Sequence, residues 1–327
     1  EPLPGTPPGR YDIVLTIFDR ETLEPLSVLT EDGQPASPEL VLGQISLASP
    51  RQHPEPDDLP VQHQMEGDFG SVTFLGANVS RDEAAPGDPV QFTTFWLAEE
   101  QPTRALTLHA ELLGADGSVA AGYALPPAAS WHPTTDWRSG DVWRGQHLLH
   151  LPAALDTGVY TWSISLAPAS APPVKLSRLS VTAPDRTFTK PPVEIEIGTP
   201  LGNVATLLGA DVEPGAMGLQ RGTDLAVTLF WRAEAETDIS YRVFLHLIGP
   251  DGALVAQSDG IPADWSRPTT GWLVGEVITD HRVLAVPSDA PPGGYRVQAG
   301  LYTSPGGRLP TPAGSGAVTV TTVEVEE

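Results

Sequence analysis

The chain has 327 residues, a net charge of −23, 32 glycines, 35 prolines and no cysteine. Without cysteine there are no disulfides, thiolate zinc sites or Cys nucleophiles, and so acidic a surface repels both phosphate backbones and anionic membrane surfaces. Gly and Pro are spread along the whole length, which is the mark of many turns between short strands and not of one low-complexity tail.

The first residues, "EPLPGTPPGRY", carry neither an initiator Met nor a signal peptide, so the expectation is a processed or excised piece of a longer protein. No window reaches the roughly 18 apolar residues of a membrane span. Residues 1–48 read as the last strands of a truncated sandwich repeat. Within them "PPGRYDIVLTIFD" (7–19) matches "PPGGYRVQAGLYT" (291–303), Tyr11 on Tyr295 and Phe18 on Tyr302. "ELVLGQISL" (39–47) follows it as the counterpart of "PVKLSRLSV" (173–181). An isolated hairpin is marginal in water, so this piece is expected to dock on a neighbour or pair with another chain. Residues 49–70 are polar, Pro-rich and aperiodic, and are expected to be a linker.

Residues 71–183 and 201–327 form a tandem repeat, separated by a second expected linker at 184–200. "HPTTDW" (132–137) and "RPTTGW" (267–272) are each followed by Gly-acid-Val, and Trp137 falls on Trp272 at an offset of 135. The same offset aligns Gly87 with Gly222, Phe95-Trp96 with Phe230-Trp231, and Tyr160 with Tyr295, with no gap. In the second copy, strands are expected near 204–212, 224–234, 240–249, 252–258, 277–286, 294–303 and 316–325. Their apolar residues alternate with period two: Leu225, Val227, Leu229, Trp231 and Ala233 share one face, as do Tyr295, Val297, Ala299 and Leu301. Seven short strands in about 120 residues predict an all-β fold. The expected architecture is tandem immunoglobulin-like or fibronectin III-like antiparallel β-sandwiches.

Two devices sharpen this. "DTGVY" (156–160) and "PPGGY" (291–295) resemble the tyrosine corner at the entrance to strand F, with Tyr160 and Tyr295 as the corner residues and Pro291 replacing the Asp in the second copy. The repeated Pro-Thr-Thr-x-Trp-x-x-Gly-acid-Val phrase sits just before a strand. There Pro fixes φ and Gly140 and Gly275 permit a turn, so each phrase is expected to plug one end of its sandwich with its Trp. Trp96 and Trp231 are expected in the core.

No G-x-S-x-G, H-E-x-x-H, P-loop or G-x-G-x-x-G pattern occurs, and no catalytic residue, cofactor or metal is expected. His132, His147 and His150 cluster in sequence, but 147 and 150 point to opposite faces of a strand. Carboxylates are plentiful without a D-x-D-x-D calcium ladder. The best ligand candidates are aromatic. Trp131, Trp137, Trp143 and Trp162 crowd the first copy beside His132, Arg138 and Asp141, and the second copy keeps Trp265, Arg267, Trp272 and Glu276. Exposed, coplanar indoles flanked by polar groups are how β-sandwich modules hold sugars.

The stretch 241–310 resembles β-sandwich modules repeated at the extracytoplasmic ends of bacterial polytopic membrane proteins, many with glycosyltransferase-like membrane regions of the protein-mannosyltransferase type. The shared marks are the Phe-Trp strand, the "PTTGWLVGEV" loop and the "PPGGYRVQAGLYTSPGGRL" ending. The resemblance covers the second copy well, the first more loosely, and residues 1–48 as a tail. It implies an extracytoplasmic, membrane-tethered location and a non-enzymatic accessory role as spacer or interaction module, and it transfers no catalytic residue. The partner would be an unidentified protein or glycan, with no nucleic acid. Two other readings stand beside it: a carbohydrate-binding module using the Trp-rich loops, and an enzyme with an unfamiliar site.

Overall fold

The computed structural model describes residues 2–17, 28–29, 35–37, 39–168, 171–215, 218–303 and 307–326. Phe18, matched above with Tyr302, lies outside them, as does the segment 304–306. The chain divides into two compact units, residues 1–15 with 40–184 and residues 16–39 with 185–327. The amino-terminal 48 residues therefore do not form a unit of their own. β1 (Gly9–Thr16), β2 (Val28–Leu29), β3 (Pro35–Ser37) and β4 (Glu39–Leu47) make two two-stranded sheets, β1 with β4 and β2 with β3. A two-stranded ribbon encloses no core. Ile13, Leu15 and Ile45 accordingly stay exposed, whereas their counterparts Trp162, Ile164 and Leu179 in the first repeat are buried.

The first module runs β5 (His63–Asp68), β6 (Val72–Val79), β7 (Glu83–Ala84), β8 (Pro89–Ala98), β9 (Thr107–Leu113), β10 (Val119–Leu125), β11 (Val142–His150), β12 (Gly158–Ala167) and β13 (Val174–Val181). One sheet has the order β11-β8-β6-β5 and the other β10-β9-β12-β13-β7. All pairings are antiparallel except β7 with β13. The second module repeats this with β14 (Ile195–Leu201), β15 (Ala205–Glu213), β16 (Leu219–Gln220), β17 (Asp224–Ala233), β18 (Arg242–Ile248), β19 (Leu254–Gly260), β20 (Val277–Ala285), β21 (Gly293–Thr303), β22 (Gly307–Arg308) and β23 (Val318–Glu326). Its sheets are β14-β15-β17-β20 and β16-β23-β21-β18-β19, with β22 added against β21 and β16 parallel to β23. Both modules are immunoglobulin-like sandwiches, in which the chain crosses between sheets after β6, β7, β8, β10 and β11, and again after β15, β16, β17, β19 and β20.

The period-two pattern explains the cores. Every residue of the two alternating faces named for the second copy, from Leu225 to Ala233 and from Tyr295 to Leu301, lies in its buried cluster. Val90, Phe92, Trp96, Trp162, Ile164 and Leu179 do the same in the first. Each fully buried side chain of this size contributes roughly 1.5–3 kcal/mol. The tyrosine corner is present three times with one geometry. The hydroxyls of Tyr11, Tyr160 and Tyr295 donate to the carbonyls of Pro7 (2.7 Å), Asp156 (2.9 Å) and Pro291 (2.6 Å), each four residues back. The acceptor is a backbone carbonyl, so the change from Asp to Pro in the second copy costs the corner nothing.

The segments expected as linkers hold more structure than that. β5 lies inside 49–70 and most of β14 inside 184–200. Upstream of each, chain folds over the outer face of its module's four-stranded sheet. Leu59 and Val61 cover Phe95 and Val142, and Val193 covers Leu208, Phe230 and Val277. Gly76 and Gly209 sit at the matching bulges that make room. A Cβ on Gly76 would lie 2.4 Å from the carbonyl oxygen of His63, and one on Gly209 2.5 Å from that of Ile195.

Candidate functional site

The repeated phrase is a clip between β10 and β11, and between β19 and β20. Pro133 and Pro268 open a single 3₁₀ turn, Thr134–Asp136 and Thr269–Gly271. The first Thr of each turn accepts a backbone N–H across the loop, Leu106 to Thr134 at 2.9 Å and Tyr241 to Thr269 at 2.8 Å. The Trp that follows turns inward. Trp137 and Trp272 are 0% and 1% exposed, and their indole N–H groups return to the carbonyls of His132 (3.3 Å) and Arg267 (2.9 Å). Gly140 and Gly275, at φ 84° and 82°, then let the chain pair with the end of β8 or β17: Gly140 N donates to Ala98 O and Gly275 N to Ala233 O, both at 2.8 Å. No L side chain adopts that φ without strain.

The acid of each phrase anchors the clip. Asp141 accepts the N–H of Arg138 at 2.8 Å, and Glu276 accepts that of Leu273 at 3.0 Å. Beyond this the modules differ. Glu276 is wholly buried and paired with both Arg186 and Arg267. Asp141 is partly open and lies 3.0 Å from Nε2 of His53. Nδ1 of that ring accepts the Val142 N–H at 3.0 Å, which leaves its proton on Nε2, facing the carboxylate. His53 and His132 stand edge-on against Trp143, 4.8 and 4.7 Å between centroids. Burial holds the imidazole of His132 below its ordinary pKa, opposed by the charges of Asp136 and Asp141.

The two indoles left at the surface, Trp131 and Trp265, each flank a cleft beside β11 or β20. The cleft of the first module has a volume of about 320 Å³. Arg144, Gln146 and His147 of β11 line it from below, and Trp131, Tyr11 and Thr6 from the sides. The chain before β1 builds one wall. The carbonyl of Gly5 accepts the N–H of Arg144 at 2.7 Å, and that of Pro8 accepts the Trp131 indole N–H at 3.1 Å. Tyr11 meets Trp131 edge to face at 5.9 Å. Arg144 is buried and no carboxylate pairs with it among the described residues; one terminal nitrogen reaches Gln146 Oε1 at 3.2 Å and Thr6 Oγ1 at 3.4 Å, and its Nε has no partner. Burial pulls its pKa down, opposed by Tyr11, whose own pKa burial raises. His147 Nε2 is also unpartnered, and burial pushes that imidazole down to about 4.

The second module's cleft, about 520 Å³, stands in the same place and is differently finished. At the offset of 135, Asp280 replaces Gly145 and Arg282 replaces His147. Arg282 donates Nε to Asp280 at 2.9 Å and its terminal nitrogens to the carbonyls of Ser258, Gly260 and Ile261, all at 3.2 Å. Asp280 in turn accepts the N–H of Ala263 at 2.8 Å. It thereby supports a turn in which Ala263, Asp264 and Trp265 all have positive φ.

The candidate residues therefore separate. Trp137, Trp143 and Trp272 are core, as are Trp96, Trp231 and Trp162, and the expected platform of coplanar exposed indoles does not form from them. Their flat apolar area is more stable against the sheets than in water. His132 and Glu276 are buried, Arg267 is bound to Glu276, and Arg138 is exposed. Tyr11, Arg144 and Gln146 were not singled out by sequence as ligand groups, and His147 entered only as a member of the cluster with His132 and His150. The described residues contain no group of three His, Asp or Glu side chains placed to hold a metal, and no helix long and apolar enough to cross a membrane.

No protein-family model and no curated protein sequence matches the chain. Among solved structures, it is similar to the native conformation of alpha-2-macroglobulin from E. coli, at 11% identity and a TM-score of 0.23, covering 98% of this chain and 18% of that one. A Salmonella alpha-2-macroglobulin mutant matches at 11% identity and a TM-score of 0.24, covering 98% and 19%. The chain spans less than a fifth of the length of these proteins.

Proposed function

We propose that the chain is a non-enzymatic accessory region of a larger, membrane-anchored bacterial protein, held outside the cytoplasmic membrane, where its modules act as spacers and interaction surfaces. The observation that carries this is the use made of the repeated phrase. Its Trp, Thr and Gly are consumed in closing a sandwich in the same way in both modules, and its acid caps the same turn, which supports reading the duplication as one of architecture. The third tyrosine corner, at Tyr11, extends the same construction to the amino-terminal hairpin. The net charge of −23 suits a surface that stays clear of anionic lipid.

The test is protease shaving of intact cells that make the parent protein, read with an antibody against this chain. Loss of the epitope from intact cells, and its recovery in the membrane fraction without protease, is the expected result. An epitope protected until the cytoplasmic membrane is broken, or one recovered in the cytosol, contradicts the proposal.

A further inference from the structure

We propose that the cleft between β11 and the Trp131 loop is a binding site for a small carboxylate-bearing sugar, a single uronic acid ring in size. The inference stands on the first module alone and does not need the anchoring proposed above.

Arg144 carries the argument. Arg144 and Arg282 are the two buried arginines among the described residues. Arg282 has Asp280 and three carbonyls. Arg144 has, among the described residues, a glutamine, a threonine and an unpartnered Nε. A buried guanidinium without a counter-charge is costly unless something supplies one, and the planar fork of Arg matches a carboxylate in two parallel hydrogen bonds. His147 also lines the cleft, and its depressed pKa keeps it neutral at pH 7, so it adds no second charge beside Arg144.

The ring follows from Trp131. Its indole is 59% exposed, yet it is fixed by its N–H bond to Pro8 and by Tyr11 at its edge. Gly9 lies beneath it, where a Cβ would come within 2.6 Å of the indole nitrogen. A rigid, open aromatic face next to a buried cation suits a ligand with an apolar C–H face and an acid group on one molecule. The volume of about 320 Å³ is at the low end of small-ligand sites. The surrounding negative charge disfavours a long polyanion.

Calorimetric titration of the whole chain with D-glucuronate, D-glucose and acetate tests this. Glucuronate is expected to bind at least about tenfold more tightly than either of the others. Arg144→Gln is expected to weaken it about thirtyfold or more, Trp131→Ala about tenfold, and Trp265→Ala not at all. Acetate binding as well as glucuronate would reduce the site to an anion hole and overturn the sugar. Glucose binding as well would remove the role of Arg144, and loss on Trp265→Ala in place of Trp131→Ala would put the site in the wrong module. No binding of glucuronate overturns the proposal. Should Arg144→Gln fail to fold by circular dichroism, Trp131→Ala, a change at an exposed side chain, decides the matter.

Discussion

Where the second module places Asp280 and Arg282, the first places Gly145 and His147, and where the second buries Glu276 between two arginines, the first leaves Asp141 partly open beside His53. The backbone hydrogen bonds at the 3₁₀ turn, the Gly and the acid of each clip are the same in both modules. The frame therefore does not depend on these charges. It rests on Pro, Thr, Trp and Gly, and the polar side chains around it are free to differ. The second module pairs Glu276, Asp280 and Arg282 from within, whereas the first keeps a buried cation, Arg144, with no paired acid among the described residues.

The predictions put pressure on this likeness and this difference. The largest effect belongs to the shared part. Trp137→Ala and Trp272→Ala should each destabilise the module they close by about 3–5 kcal/mol, through lost burial and a cavity. Calorimetric unfolding should show the two losses to be of similar size, each in a different transition. Glu276→Gln should cost about 3 kcal/mol, because the partly buried Arg186 and Arg267 lose the buried carboxylate they share. Asp141→Asn should cost only about 1 kcal/mol, since that pair is partly solvated and its partner is a histidine. Equal losses at the two acids would erase the distinction drawn here.

Acid should separate the modules as well. His147 has a folded pKa of about 4 against an ordinary 6.5. Between those values the unfolded chain takes up a proton that the folded one refuses. Its contribution is therefore fully present above pH 6.5 and declines as the pH falls toward 4, by roughly 3 kcal/mol in total. His132, lowered in the same direction, adds to the slope. The second module has an arginine, Arg282, in the place of His147, so that transition lacks this slope. Unfolding followed from pH 8 to 4 should show it, and His147→Gln should flatten most of it. The smallest effect is at the corners: Tyr160→Phe and Tyr295→Phe should each cost about 1 kcal/mol, the worth of one hydrogen bond. Tyr11→Phe should hardly move either midpoint, because its hairpin is not part of a closed core.

Most of the sandwich was legible because its inward residues alternate without interruption, as from Leu225 to Ala233. The frame of the clip was legible because Pro, Gly and Trp carry their conformational demands in their identity. β5 was not, since "HQMEGD" has no apolar alternation and is held as an edge strand by backbone bonds to β6. β14 did alternate, through Ile195 and Ile197, but beside Pro191 and Pro192 the pattern reads as part of a linker. The cleft was the least legible part. The contact of Trp131 with Pro8 spans 123 positions and that of Arg144 with Thr6 spans 138, so nothing local signals either. The crowding of Trp in the first copy suggested a platform, yet it records core packing at Trp137, Trp143 and Trp162.

Whether the duplicated phrase closes each module or displays its indole can be read directly by hydroxyl-radical footprinting of the native chain, with peptide mass spectrometry to score each of the eight tryptophans. Oxidation concentrated at Trp131 and Trp265, with Trp137 and Trp272 protected until the chain unfolds, is the expected pattern. Rapid oxidation of Trp137 and Trp272 in the folded chain would show that the phrase presents its indole to solvent, and the architectural account would be wrong.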